Sequence, residues 1–397
     1  MEEQVNRRSF LQKAAIGGGW LLIGAAGGVA WRAWDRGSLG TIYGGMAFDP
    51  WEDWRNNRFQ GPSGLVSAAI LASNPHNSQP WLFRVDERRI DLYANMSRSL
   101  RSIDPFLREM YIGLGCAVEN LMVAARGRGY EPRLVLFPNG GEQSLVARVG
   151  LKPGSAAEVP HYRAIGERHT NRSAYDRGCD LPPAVIEAFN KQVLSRNATL
   201  LSFPASDREG KLFAEGTIEA TAKFIADPKL LRDTHHWFRY SLKEVNEKRD
   251  GLSVIGLGMP EWQMRIALSL PESWLGDFGR KWLDATKNQH CATAPRFGVI
   301  AVRNRDDKAQ LLEAGRLWQR LHLEATLQGV AMHPLNQMME MADHDCFEGH
   351  ISVAESRLAR IVNGSGLQAV FGFRCGYAKQ QARPAPRRGV NEVIEAV

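Results

Sequence analysis

Cysteine is scarce in this chain. There are five in 397 residues, at Cys116, Cys179, Cys291, Cys346 and Cys375, and no two form a C-x-x-C pair. That spacing argues against a disulfide framework and against a thiolate metal centre, and the odd count leaves at least one thiol free or paired between chains. A strong charge bias is also missing: 50 Lys and Arg stand against 43 Asp and Glu, for a net +7, with no long basic stripe and no nucleic-acid motif. Nucleic acid is therefore set aside as a partner. The glycines of Asp250-Gly251-Leu252 and Gly256-Leu257-Gly258-Met259 lack the strand, turn and helix of a dinucleotide fingerprint, so they read as loop glycines. His235-His236 with His290 fits no familiar metal spacing, and no cysteine carries a nucleophile signature. No fixed-period repeat is visible.

What is present is ordinary for a globular enzyme. Apolar residues make up 44% and charged residues 23%, which argues against disorder. The length suits two ordinary domains or one large one, with room for a sizeable core.

The first residues read as an address. Asn6-Arg7-Arg8-Ser9-Phe10-Leu11-Gln12-Lys13 precedes a Gly/Ala-rich apolar run from Ala14 to Ala30, a charged region followed by an apolar one. Four glycines, Gly17, Gly18, Gly19 and Gly24, make a buried helix a poor alternative. The paired arginines followed by Phe-Leu resemble a twin-arginine export signal, so residues 1–34 are expected to direct the protein to the periplasm or cell envelope. Gly28-Val29-Ala30 is a tolerable cleavage site. Trp31 and Trp34 suit a membrane interface, so retention as an anchor stays open.

Residues 35–64, rich in Gly, Pro and Trp, read as a linker. An apolar helix over 65–71 then feeds the run Leu71-Ala72-Ser73-Asn74-Pro75-His76-Asn77-Ser78-Gln79-Pro80-Trp81, where loop chemistry passes into strand-like alternation. A hairpin is expected over 81–94. Asp104-Pro105 should cap and open a helix that runs to Arg126, apolar on nearly every side and hence buried. Two strands follow near 133–138 and 144–151. Further on, strands are expected near 199–203, 297–303 and 367–377, a mostly helical stretch over 207–256, an irregular cover over 256–271 and an amphipathic helix over 309–328. The mixture predicts an α+β fold with mainly antiparallel sheets.

Asn77 and Gln79 are amides that both donate and accept, which suits a ligand offering both kinds of group; a satisfied structural turn is the alternative. The segment resembles the flavin-contacting loop of nitroreductase-fold proteins, in which small residues lead into Asn-x-Gln-Pro-Trp. Arg168-His169-Thr170-Asn171-Arg172 resembles that family's Arg-x-Ser-x-Arg phosphate clamp, with the following aromatic one place late at Tyr175. The C-terminal Gly376-Tyr377 and Pro384-Ala385-Pro386-Arg387-Arg388 resemble its closing motif, which implies that Arg387 or Arg388 reaches the phosphate. His333 lies in a segment similar to the family's isoalloxazine edge.

The order of these motifs is similar to that of the Acg-type nitroreductase-like proteins. The resemblance implies two half-domains in one chain mimicking a homodimer, roughly 65–155 and 156–397, with a helical insert at about 207–290. It implies FMN held by Asn77, Ser78, Gln79, Arg168, Thr170, Arg172 and Arg388, with Trp81 packing behind the loop. Reduced nicotinamide or another small donor, an electron-poor aromatic or quinone-like acceptor, and the twin-arginine export machinery are the implied partners. No side-chain acid or base is obligatory, because the flavin carries the chemistry. Two rival readings remain: a non-catalytic protein that sequesters flavin, and an envelope protein on a decayed scaffold that binds none.

Overall fold

The computed structural model describes residues 41–139, 144–269, 276–363 and 366–395. The twin-arginine segment lies outside these described residues. The architecture is α+β and built in two halves. In the first, strands β1 (Trp81–Val85), β2 (Arg89–Ala94), β3 (Tyr130–Leu136) and β4 (Leu145–Pro153) form an antiparallel sheet in the order β1-β2-β4-β3. In the second half come β5 (Ala198–Pro204), then a helical insert holding the short parallel pair β6 (Phe238–Arg239) and β7 (Leu252–Ser253). Strands β8 (Arg296–Val302), β9 (Ala331–Pro334) and β10 (Gln368–Gly376) join β5 in a second antiparallel sheet, ordered β5-β8-β10-β9. The central strand β8 is buried at every residue, whereas the edge strand β3 alternates between half-buried and exposed.

Two long helices, Arg108–Gly127 and Lys308–Leu327, pack against each other between the sheets. The first is buried from Arg108 through Ala125, which is why its sequence shows no polar face. Their crossing is reciprocal. A Cβ on Gly115 would strike the backbone of Leu312, and a Cβ on Gly315 would strike the backbone of Ile112. Glycine at both places lets the backbones approach, and the mirrored pairing is what a two-fold relation between the halves produces. One hydrophobic core spans both halves, from Trp51 and Trp81 to Trp318 and Phe373.

Several boundaries differ from the sequence reading. The expected linker at 35–64 contains the helix Asp49–Arg55 and the start of the helix Gly61–Ala69, and it buries Trp51 and Trp54 in the main core. Its glycines and prolines punctuate helices and do not form a free tether. The helix expected after Asp104 begins later, at Arg108, because Leu107 takes a left-handed conformation (φ 60°). Asp104 still supplies the cap by reaching past that kink: its carboxylate accepts from Glu109 N at 3.0 Å and Met110 N at 2.9 Å. The expected irregular cover at 256–271 includes the helix Glu261–Ser269. The basic tail after β10 is packed down, with Arg387, Val390 and Val393 buried. Among the described residues no helix is long and apolar enough to cross a membrane.

Candidate functional site

The helix Gly61–Ala69 ends in the loop that the sequence singles out. Here His76 (φ 47°), Asn77 (φ 53°) and Gln79 (φ 52°) all lie in the left-handed region. Such backbone is costly for residues with side chains and persists only where its surroundings hold it. The surroundings do. Asn77 Nδ2 donates to Pro386 O (2.9 Å) and Gly251 O (3.3 Å), and Asn77 Oδ1 accepts from Arg387 at 2.5 Å. Gln79 Nε2 donates to Arg249 O and its Oε1 accepts from Arg388 N. Arg98 donates to Ser78 O, and Asn74 Oδ1 accepts from Gln79 N. The two amides thus tie the loop to the insert on one side and to the C-terminal tail on the other.

Beyond that loop lies a cavity of about 1060 Å³. The loop contributes Ser73, Asn74, Pro75 and His76 to its wall, and both long helices and the segment following β9 line it too. Much of the remaining wall, including Phe238, Val254 and Trp282, comes from the insert. Trp318 and Phe371 offer flat apolar surface, packed against each other at 4.6 Å between ring centroids. A large apolar pocket with a few polar groups is the usual form of a cofactor site.

One side of the cavity is basic. Thr170, Arg172, His290 and His333 line it. Arg172 donates to Gly256 O at 3.1 Å and pairs with no carboxylate among the described residues. Burial pulls its pKa down to about 10, and nearby Arg374 pushes the same way against Tyr175. Behind it, Arg374 stacks on Tyr175 (3.9 Å to the ring centroid) and donates to Ser173 O and to His333 Nδ1. Arg168 donates to Leu71 O at 3.0 Å and Arg387 to Ala72 O at 3.2 Å, both just past the C-terminus of the helix Gly61–Ala69, where backbone carbonyls are unpaired and the helix dipole is negative. Burial lowers the pKa of both guanidiniums.

Another part of the wall is acidic. Glu109, at the start of its helix, and Glu340, in the helix Gln337–Phe347, line the cavity beside His76. Behind them Arg108 donates to Asp343 at 2.6 Å, and Arg305 pairs with the same Asp343. Arg108 reaches Glu109 only at 3.6 Å. Burial raises the Glu109 carboxyl to about 7 against the pull of Arg108, raises Asp104 to about 6, and lifts Glu340 well above the usual carboxylate range. His76 is held down to about 4, chiefly by burial and then by Arg172, so its imidazole is neutral.

Of the residues singled out in sequence, Thr170, Arg172 and His333 line the cavity. Asn77, Ser78, Gln79, Arg168, Arg387 and Arg388 do not; they form the frame around it. Arg388 donates to Gln79 O and Trp81 O. Trp81 is fully buried behind the loop. Sequence reasoning missed His76, Glu109 and Glu340. His76 had a signal in hand, since it stands in the same loop between Pro75 and Asn77. The two glutamates had none, because they sit in helices far apart in the chain and meet only through the fold.

No protein-family model matches the chain. A protein of Mycobacterium tuberculosis (strain ATCC 25618 / H37Rv), Rv3131, provisionally named an NAD(P)H nitroreductase, is 25% identical over 346 residues, covering 83% of this chain and 90% of its own length. The protein acg of the same strain, provisionally named in the same way, is 23% identical over 342 residues, covering 83% and 93%. The chain is similar to the Acg-type nitroreductase-like proteins along most of its length. Its α+β architecture agrees with that likeness. Among solved structures, the FMN-dependent nitroreductase NfnB from Mycobacterium smegmatis, in complex with NADPH, is 14% identical and covers 60% of this chain and 98% of its own, with a TM-score of 0.38.

Proposed function

We propose that this chain is an exported, FMN-binding, nitroreductase-like oxidoreductase. Its reaction would be ping-pong hydride transfer from a reduced nicotinamide or similar small donor to an electron-poor aromatic or quinone-like acceptor. The observation that carries the cofactor assignment is Arg172, a half-buried guanidinium on the wall of a large apolar cavity that pairs with no carboxylate among the described residues. A cation partly removed from water and facing a cavity in this way suits an anionic ligand, and a phosphate matches its planar donor fork. Bound FMN would supply the redox chemistry.

The chain's own residues would do the rest. Arg172 and Thr170 would hold the phosphate. Trp318 and Phe371 would offer apolar surface to the ring. Asn77, Ser78 and Gln79 would act by fixing the loop that presents Asn74 and His76, and Arg168 and Arg388 by bracing the backbone around it. The names given to the M. tuberculosis relatives support the donor class. The paired Arg7 and Arg8 support export.

A second reading is favoured by one observation: the insert supplies a large share of the cavity wall. That suits a protein that keeps flavin without turning it over. Native purification tests both. Protein with about one releasable FMN per chain is expected, and a colourless protein that resists loading would refute both. Anaerobic mixing with NADPH then separates them. Bleaching of the flavin absorbance indicates turnover, and persistent colour with FMN retained indicates sequestration. Export is tested by cell fractionation, with Arg7→Lys/Arg8→Lys expected to hold the protein in the cytoplasm.

A further inference from the structure

We propose that His76, Glu109 and Glu340 form a site for one divalent transition cation on the acidic wall of the cavity. Nothing in the redox reading requires such a site. The case begins with geometry. One ligand atom from each of the three residues lies within 4.8 Å of the other two. They come from three separate elements: the loop after the helix Gly61–Ala69, the start of the helix Arg108–Gly127, and the helix Gln337–Phe347. One neutral imidazole nitrogen with two carboxylate oxygens is a donor set that zinc, manganese and ferrous iron accept.

Two further observations point to an ion. Gln337 stands one turn before Glu340, lines the same cavity and is buried, and its amide oxygen Oε1 has no hydrogen-bond partner. A buried carbonyl oxygen left unpaired on the same cavity lining, one turn from Glu340, is a candidate fourth donor. The second observation is local charge. Four buried carboxyl groups, Asp104, Glu109, Glu340 and Asp343, lie about the Arg108 guanidinium, which Asp343 engages; Arg305 pairs with Asp343 and with Glu355. Backbone N–H groups answer Asp104. Glu109 meets Arg108 only at 3.6 Å, and Glu340 forms no ion pair among the described residues. Glu109 and Glu340 hydrogen-bond each other, which needs a proton between them, and a divalent cation would take that proton's place and bind both carboxylates. With few protein ligands, a coordination position would remain open toward the cavity, where an oxygen of a bound small molecule could complete it.

The test uses full-length, tag-free protein, chelator-dialysed and titrated calorimetrically with Zn²⁺ and separately with Mn²⁺. Flavin content is measured in parallel, so a failure of flavin binding is seen separately. One ion per chain is expected for at least one metal. Glu340→Gln and His76→Ala should each weaken binding by about tenfold to a hundredfold or more. Added metal should raise the unfolding temperature of the wild type and leave Glu340→Gln unmoved. Glu340→Gln keeps shape and removes a buried charge, so it is expected to fold, and a urea unfolding curve verifies this. Absence of saturable binding by either metal would overturn the proposal and leave protons as the neutralising charge. Stoichiometric binding that survives both substitutions would overturn it equally, by placing the ion elsewhere.

Discussion

The two sides of the cavity are built from opposite deficits. On the basic side, Arg172 lines the cavity half-buried while Arg168 and Arg387 are buried in the frame behind it; among the described residues none of the three pairs with a carboxylate, and backbone carbonyls take up what they can. On the acidic side, Glu109 and Glu340 are buried among more carboxyls than the local guanidiniums can satisfy. The protein could have paired these charges with each other across a closed core. It leaves Arg172, Glu109 and Glu340 without ion-pairing one another on the wall of one cavity of about 1060 Å³. Buried charge is expensive unless it is answered, so each side is shaped to receive the opposite sign from outside the chain. The contrast also separates charges that hold the fold from charges that await a ligand. Asp343 and Arg108 belong to the first kind, Arg172 to the second.

That separation can be broken experimentally. The largest effect on the fold should come from Asp343→Asn, which removes a buried carboxylate shared by Arg108 and Arg305 and leaves them only Val370 O and Glu355 at close range. A loss of about 3–5 kcal/mol in unfolding free energy is expected by urea denaturation, the usual cost of stripping one member from a buried ion pair. Arg172→Ala should instead leave stability nearly intact and weaken FMN binding by about tenfold to a hundredfold, about 1.4–2.8 kcal/mol. Fluorescence titration would check it, and riboflavin, which lacks the phosphate, should bind wild type and variant alike. An equal loss for both ligands would show that Arg172 does not act on a phosphate.

Arg387→Met removes a buried cation that has no acid to leave behind but frees Asn77 Oδ1 and Ala72 O. A smaller loss than for Asp343→Asn, about 1–2 kcal/mol, is expected by the same urea assay. Lys191→Ala removes one member of an exposed i,i+4 pair with Glu187, and no resolvable change in unfolding midpoint is expected.

Much of the frame was legible in the sequence. The hairpin at 81–94, the long helix with no polar face and the strands after it all carry local signals, because alternation and all-round apolarity reflect burial directly. The cavity was legible only in part. Asn77 and Gln79 stood out because amides make bonds in two directions, and the structure spends those bonds on backbone in the insert and tail. No pattern in one chain distinguishes an amide that meets a ligand from one that meets a carbonyl. The acidic side was invisible for a different reason. Glu109 reads as an ordinary first-turn acid and Glu340 as a helix-surface acid until the packing of two distant helices brings them together. Asp104 shows a smaller version of the same limit, since its cap survives while a left-handed Leu107 moves the helix start.

The tail after β10 has a consequence for the order in which this molecule is assembled. It crosses from the second half to lie beside β1, where Phe83 N donates to Val393 O and Glu395 N donates to Phe83 O, both at 2.8 Å, and on the way it secures Asn77 through Pro386 and Arg387. These residues leave the ribosome well after the sheet they complete, since they follow it by more than two hundred positions. Until then β1 is an uncovered edge and the loop at 71–81 has lost half its anchors. A ligand that arrived before the tail was made would find the pocket unfinished, because Asn77 would still lack Pro386 and Arg387.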